Sequence, residues 1–431
     1  MSIRGGNWNN QSHAGVFNLN LNNLRSNTNT NIGFRLDFGL ARRYYLTGGY
    51  PVHTIGRLCP ASPSADKYKT VRGVLVAEKR KIALRLTDNM RRHGNLFEHI
   101  YDLENLEQAW RKVRLGKRYK SEVLSFSYNL FENLIGVQND LIWKTYKIGN
   151  YRQFTIYDPK ERIIEFLPVR DRVVLQALHS VINPIFDRGF ACDSYACRKG
   201  KGTHAALYRL QHFIRLANNR WGHNIHYLQG DIFKYFPNID HDVLKERIRR
   251  KIKCTETLWL IDHIIESSPN KPGLPIGLLF SQLAANIYMD ALDQFVKHEL
   301  REKYYIRYMD DFIILGSNKA DLKNVLDKIE DFLGYHLHLK LNRKTDIQKI
   351  VHGIDFVGYR VWPDKVKIRK SSVKRQVQRL KRFKHLYSCG QISLPEIRQS
   401  IMSWVAHCKH ADTYRLREKV LGGVVLKKGN K

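Results

Sequence analysis

The stretch Tyr305-Ile306-Arg307-Tyr308-Met309-Asp310-Asp311-Phe312-Ile313-Ile314-Leu315-Gly316 constrains this chain more than any other. Two adjacent carboxylates stand between two short apolar runs, a pattern that reads as strand, tight turn, strand with the acids at the tip. Neighbouring acids repel each other and lose hydration in a hairpin. A cationic partner has to offset that, and a pair of Mg²⁺ ions is the usual solution. The bland alternative is a solvated Asp-Asp turn. Which reading holds depends on what else the chain carries, and in what order.

Composition sets the frame. A chain of 431 residues with 43% hydrophobic and 11% aromatic residues is globular and long enough for two or three domains or subdomains. A formal net charge of +33 opposes compaction unless a polyanion offsets it, and nucleic acid is the first candidate, an anionic membrane surface the second. No apolar run is long enough to span a bilayer, and the polar N-terminus lacks a secretory apolar core. Cys59, Cys192, Cys197, Cys254, Cys389 and Cys408 are scattered without a CxxC pair, as expected of free or buried thiols in a cytoplasmic protein.

Residues 1–35 differ from the rest. They run from Arg4-Gly5-Gly6-Asn7-Trp8-Asn9-Asn10 to Asn31-Ile32-Gly33-Phe34-Arg35, with Asn recurring between and no helical period. Residues 36–89, with Pro51, Pro60, Pro63 and the basic Glu78-Lys79-Arg80-Lys81, promise little autonomous structure, so residues 1–89 form an Asn-rich and basic extension. Organised sequence starts at Met90. Leu103, Leu106 and Trp110 share a helical face, and residues 121–146 carry a longer amphipathic pattern. Phe154–Tyr157 reads as a strand, Asp158–Glu161 as a turn, Arg162–Phe166 as the returning strand, and a helix begins near Arg170. Lys160 and Arg162 on such a hairpin suit a polyphosphate, although a solvated hairpin would look the same.

Ser194-Tyr195-Ala196-Cys197-Arg198-Lys199-Gly200-Lys201-Gly202-Thr203-His204 is a Gly-flexed basic loop entering a helix. It lacks GxxxxGK[ST], so it is read as touching a template backbone and not as a P-loop. His226–Asp231 reads as a strand that delivers Asp231, followed by an aromatic turn containing Phe236. Asp231 is the third carboxylate a two-metal site needs, or else a helix cap; Asp240 and Asp242 are read as capping or surface charges. Gly273-Leu274-Pro275-Ile276-Gly277-Leu278 runs into a helix with small residues on one face, through Gln282 and Asn286, either to admit a base pair or to pack a core. Residues 319–333 are an amphipathic helix, His338–Thr345 a strand and turn, and Gly353–Val361 a strand–turn unit. From Lys370 to Lys384 basic residues recur at helical spacing opposite Val373, Val377, Leu380 and Phe383, a helix packed on one side and facing a polyanion on the other.

Taken together and in order, these stretches over about residues 90–420 resemble a reverse transcriptase. The resemblance implies an α+β right-hand polymerase: fingers and an antiparallel-sheet palm over residues 90–360, and a basic helical thumb and tail over 361–431. It implies that Asp231, Asp310 and Asp311 bind two Mg²⁺, with Mn²⁺ as a substitute. Lys160 and Arg162 would grip the triphosphate, and Lys344 would be the general acid for pyrophosphate. Phe236 would exclude a ribose 2′-hydroxyl, and Ile276, Gly277 and Gln282 would lie near the nascent pair. Phe356-Val357-Gly358-Tyr359 fits the primer grip. The expected partners are an RNA template, a DNA or RNA primer with its cDNA product, and dNTPs, with no membrane.

Within that superfamily the chain resembles the reverse transcriptases of diversity-generating retroelements. The resemblance lies in Ser194–Arg198, Gly202–Ala205, Gly353–Tyr359, Arg369–Arg375, Trp404 and His407, and in Ile276, where most other reverse transcriptases carry Gln. That group often has a small polar residue after Gly277, where this chain has Leu278. The implied function is cDNA synthesis from a template-repeat RNA for adenine-biased mutagenic retrohoming, in a bacterial or phage-encoded cytoplasmic enzyme with a small accessory protein. Residues 1–35 resemble the variable region of the lectin-fold targets of such elements. Because Asn codons are adenine-rich, the segment is expected to be translated template repeat and the working enzyme to start at Met90; a genuine RNA-binding extension competes with this. Two other readings stay open. One is a defence-associated or group II intron-type reverse transcriptase, although the ~45 residues after Lys384 leave no room for a nuclease. The other is a non-catalytic RNA-binding protein on a polymerase fold, against which the intact acids argue.

Overall fold

The computed structural model describes residues 92–157, 161–222 and 224–427. The expectations for residues 1–89, the start at Met90 and the placement of Lys160 lie outside the described residues.

The described chain opens with helices α1 (Phe97–Tyr101), α2 (Leu103–Val113), α3 (Ser121–Tyr128) and α4 (Leu130–Ile142). A hairpin β1 (Arg152–Ile156) and β2 (Arg162–Phe166) and helices α5 (Val169–Asp187) and α6 (Thr203–Trp221) follow. Next come β3 (His226–Asp231), α7 (His241–Arg249), α8 (Thr255–Glu266), α9 (Leu279–Gln294), β4 (Tyr305–Tyr308), β5 (Asp311–Gly316), α10 (Lys319–Leu337) and β6 (Asp346–Lys349). The last part holds β7 (Ile354–Phe356), β8 (Tyr359–Val361), β9 (Val366–Ile368), α11 (Lys370–Ser388), α12 (Leu394–Cys408) and α13 (Tyr414–Leu421). The architecture is α+β.

The central sheet has order β4-β5-β3-β6, all neighbours antiparallel. Its inner strand β5 carries a continuous apolar run, Phe312–Leu315, because both faces are covered. Leu228, Tyr305, Phe312 and Ile314 point into a core shared with α9 and α10. Tyr227, Ile306, Ile313 and Leu315 point into a second core built with α6. The period of two divides each strand between the two cores. Each of these side chains contributes about 1.5–3 kcal/mol by burial. An acid at Ile313, fully buried between strand and helix, would break the arrangement.

Gly230 sits opposite Phe312 in the β3–β5 pairing. A Cβ at Gly230 would stand 2.1 Å from the tip of the Phe312 ring, so the residue before Asp231 has to be glycine for that ring to keep its place.

At the N-terminal end, the Asp102 carboxylate caps α2 by accepting from Asn105 N (3.2 Å), and Leu106, Ala109 and Trp110 are buried. Asp240 caps α7 in the same way, accepting from Asp242 N and Val243 N, so the capping role expected of it is its observed one. Beyond the central sheet, β7-β8-β9 form a small antiparallel sheet. There α11 and α12 pack through Leu380, Phe383 and Ile397. A capping box between Ser393 and Glu396 starts α12.

Several expectations need correction. The amphipathic run 121–146 is two helices, broken at Asn129 (ψ 51°), a residue whose side chain competes with helical backbone pairing. The helix expected over 319–333 continues to Leu337 and ends with His338 in the left-handed region. The strand expected at 338–342 is therefore not formed. Residues there touch β3's end through the isolated Ile232–Leu341 bridge, and regular pairing resumes at Asp346 after the Asn342–Thr345 turn. A boundary at 360/361 would cut β8, because the small sheet runs on to Ile368 before the basic helix begins. On α11, Val377 is 39% exposed and Gln376 takes a buried place. Among the described residues no helix is long and apolar enough to cross a membrane, and no disulfide forms.

Candidate active site

β4 and β5 are joined by the two-residue tip Met309-Asp310, with Tyr308 paired to Asp311. Met309 takes a left-handed conformation (φ 59°) and its side chain is fully buried, which turns the chain tightly enough to leave both acids at the strand end. β3 lies beside β5 in a register that pairs Asp231 with Asp311. The strand contact that a three-carboxylate site requires is thus present.

The electrostatics follow from this crowding. Burial pushes Asp310 up to about 6, with Asp231 adding to the rise while Arg162 and Arg307 oppose it. Burial also pushes Asp311 well up, helped by the charges of Asp310 and Asp231 and opposed by Arg369. Among the described residues no three Asp, Glu, His or Cys side chains converge on one ion-sized position. What fits a divalent ion is the chemistry of the donor set: hard carboxylate oxygens, mutually repelling, at a strand end.

Two residues that sequence reasoning missed hold this arrangement. Asn342 donates from Nδ2 to Asp231 Oδ2 (2.8 Å) and from its backbone N–H to the Asp231 carbonyl (2.7 Å). Its own Oδ1 accepts from Lys344 N (3.2 Å). Arg307, fully buried, pairs with fully buried Asp293. It also donates to the Met309 carbonyl (2.8 Å) and to Ser194 Oγ (3.0 Å). The hairpin tip is therefore fixed from beneath by a guanidinium. A lone Arg inside Tyr-Ile-Arg-Tyr, and a lone Asp pair (Asp290, Asp293) on an otherwise apolar helix, were the available signals. Nothing in the local pattern marked Asn342.

The other expected site residues fall as follows. Arg162 is half-buried, opens β2 opposite Ile156, and lies within electrostatic reach of Asp310. Phe236, 7% exposed, starts the single turn after β3, beside Tyr235, whose hydroxyl donates to the Ala285 carbonyl (2.6 Å). Ile276 and Gly277 meet the β1–β2 hairpin: Glu165 N donates to the Ile276 carbonyl (2.8 Å). Gly277 has φ 127°, and a Cβ there would stand 2.5 Å from the Glu165 carbonyl. Gln282 is half-buried in the first turn of α9. Lys344 is exposed, tied to the site through its backbone contact with Asn342.

The basic loop before α6 needs correction. Arg198 is turned inward, onto Asp187 (2.6 Å) and the carbonyls of Ala191 and Ser194, and Lys201 bonds the Cys192 carbonyl. These two cations serve the loop itself, which leaves Lys199 exposed. Thr203, just after the loop, has its hydroxyl 3.2 Å from that of Tyr308. At the start of the basic helix, Arg369 pairs with Asp355 of β7 and bonds the Gly358 carbonyl through its N–H. Lys370, Lys374, Arg375, Lys381, Arg382 and Lys384 are exposed along α11.

Comparison with known proteins gives a consistent domain. Residues 157–361 match the family model described as reverse transcriptase (RNA-dependent DNA polymerase). "Protein YkfC" of Escherichia coli (strain K12) is 25% identical over 252 residues, 48% of this chain and 65% of that protein. The group II intron-encoded protein LtrA of Lactococcus lactis subsp. cremoris is 29% identical over 134 residues, 29% of this chain and 21% of its own. The chain thus spans less than two thirds of either relative. A telomerase structure from Candida albicans, in complex with a fragment of telomeric RNA, aligns over 64% of this chain and 56% of its own at 11% identity and a TM-score of 0.38. At that score the likeness adds nothing to the geometry above.

Proposed function

We propose that this chain, which carries a reverse transcriptase domain over residues 157–361, is an RNA-directed DNA polymerase whose reacting centre is Asp231, Asp310 and Asp311. The observation that supports this most is the register of Asp231 against Asp311 beside the Met309-Asp310 tip. Divalent cations held by these carboxylates would neutralise charge on the attacking and leaving oxygens, with Mg²⁺ the expected ion and Mn²⁺ a substitute. The rest is done by the chain's own residues. Arg162 holds the triphosphate from the hairpin, and Lys160, assigned from the sequence, acts on the same phosphates. Gly277 keeps the backbone low where the nascent pair stacks, with Ile276 and Gln282 beside it. Phe236 closes the space a 2′-hydroxyl would need. Lys344 gives a proton to the departing pyrophosphate. Most of the rate comes from positioning and charge stabilisation. The template is RNA, the primer DNA or RNA, and the basic face of α11 carries the duplex. Primer extension by the full chain on an RNA template, with and without Mg²⁺, tests this; extension that survives Asp310→Ala would refute it.

Two settings for this activity have support. Ile276, Ser194–Arg198 and Arg369–Arg375 favour a diversity-generating retroelement enzyme with a small accessory protein. The group II intron-encoded relative favours an intron-type reverse transcriptase. A hydrocarbon side chain at 276 removes an amide contact near the nascent pair and weakens discrimination at the template base. Deep sequencing of the cDNA separates the two: errors concentrated opposite template adenines, reduced by Ile276→Gln, fit the first, and an even error spectrum fits the second.

A further inference from the structure

The loop between α8 and α9 runs, over residues 273–277, as a strap past two of the residues assigned to nucleotide selection. Leu274 N donates to the Phe236 carbonyl (2.9 Å) and Gly273 N to the Ile239 carbonyl (3.1 Å), which fixes one end of the strap to the turn after β3. The Gly273 carbonyl accepts from Ser268 Oγ (2.9 Å) and lies 2.7 Å from His241 Nε2. The other end meets the hairpin. Glu165 N donates to the Ile276 carbonyl (2.8 Å), and the Glu165 carbonyl occupies the space a Cβ at Gly277 would need.

The Glu165 side chain is directed to the same junction. It is 4% exposed, although its partner strand β1 is largely exposed. A buried acid costs free energy unless donors surround it. Gln153 Nε2, from the cross-strand partner residue, supplies one (3.1 Å). Asn270 Nδ2, from the residues leading into the strap, supplies a longer one (3.5 Å). Burial raises the pKa of Glu165, while Gln153, Asn270 and the Ile276 backbone oppose the rise. Strand pairing alone would be served better at this position by a β-branched residue with no charge to desolvate. What the carboxylate adds is a hold on the strap.

We infer that Glu165 is a positioning residue for nucleotide selection, which with Asn270 clasps the β1–β2 hairpin onto the strap so that Arg162, Ile276 and Phe236 keep a fixed spacing. This deepens the polymerase reading and rests on it. Glu165 acts through the strap and not on the substrate. Arg162 lies three residues before it on β2, Ile276 and Gly277 lie against it, and Phe236 is reached through Leu274. The grip on the triphosphate, the choice of base and the choice of sugar are therefore coupled, and all three loosen together when the clasp is lost.

The test uses the full chain with three changes: Glu165→Gln, Asn270→Ala at an exposed position, and the exchange of Gln153→Glu with Glu165→Gln in one protein. The exchange keeps an acid–amide pair across the hairpin but moves the charge to β1, away from the strap. In single-nucleotide incorporation on an RNA template, Glu165→Gln and the exchange are expected to raise KM for the correct dNTP about tenfold while kcat falls less than about threefold. Insertion of wrong bases and of ribonucleotides should each rise about fivefold, with Asn270→Ala changing all of these in the same direction by less. Amide hydrogen exchange over residues 273–277 should quicken in each folded variant while its melting temperature stays close to that of the unaltered chain. Normal kinetics in the exchange protein would show that the carboxylate serves hairpin pairing alone and would overturn the inference. So would a loss confined to kcat, a rise in one class of error without the other, or unchanged exchange over the strap. Primer extension by the unaltered chain is read first. Its absence sinks the polymerase reading and the selective role with it, whereas extension by the unaltered chain with equal selectivity in every variant sinks the role of Glu165 alone.

Discussion

Arg307 and Asp293 are a bidentate ion pair with no solvent exposure, Nη2 to Oδ2 at 2.5 Å and Nε to Oδ1 at 2.7 Å, directly beneath the hairpin that carries Asp310 and Asp311. Tyr305 OH adds a bond to the same carboxylate (2.6 Å), and the remaining guanidinium donors reach Met309 and Ser194. Asp293 holds the Arg307 guanidinium firmly charged despite its burial. The acids at the tip thus rest on a permanent buried cation that is itself fully paired.

Breaking one half of that pair leaves an uncompensated buried charge. Asp293→Asn is expected to cost about 3–5 kcal/mol of stability, read by denaturant melts, and to abolish extension. The double change Arg307→Met with Asp293→Leu should recover much of the stability and none of the activity, because the Met309 carbonyl loses its donor. Recovery of activity would show that the pair serves packing alone.

Asn342 holds Asp231 from both side chain and backbone. Asn342→Ala is expected to lower kcat about 10–100-fold with little change in KM for dNTP, as for other residues that orient a metal-binding carboxylate. A change confined to KM would place Asn342 in nucleotide binding instead.

The carboxylate cluster should make the metal-free protein less stable at neutral pH than in mild acid. Asp310 titrates near 6 in the folded chain, above its ordinary value, so folding takes up a proton there. The penalty is complete above about pH 6 and is relieved as pH falls towards the unfolded value near 4. Asp310→Asn removes it, and should raise the melting temperature of metal-free protein at pH 7 by a few degrees, on the order of 1–3 kcal/mol. Added Mg²⁺ should stabilise the unaltered chain more than the variant. Equal melting of both proteins at pH 7 without metal would count against a crowded, uncompensated cluster.

Phe236, buried one turn after Asp231, is expected to select the sugar. Phe236→Ala should admit ribonucleotides in single-nucleotide incorporation assays while dNTP incorporation falls only modestly. Unchanged exclusion of ribonucleotides would remove the assigned role.

The parts of this structure that were legible in the sequence are those with short periods. The hairpin at 305–316, the strand ending at Asp231 and the basic helix from Lys370 each announce themselves through apolar alternation or helical spacing. What the sequence could not show is contact between distant elements. The bond from Asn342 to Asp231 spans 111 positions, and that from Arg307 to Ser194 spans 113. The break at Asn129 was hidden because apolar spacing continues across it. The misplaced strand after His338 reflects a left-handed residue that only packing imposes. Inward-turned cations such as Arg198 look, in sequence, like cations that await a ligand.

The most direct test is primer extension by the full chain and its Asp310→Ala variant on an adenine-containing RNA template, with Mg²⁺ supplied or chelated. The account predicts full-length cDNA from the unaltered chain that depends on Mg²⁺ and disappears with Asp310→Ala while the folded state persists. Product that persists in the variant or under chelation, or folded protein that binds the RNA yet makes no cDNA, would contradict it.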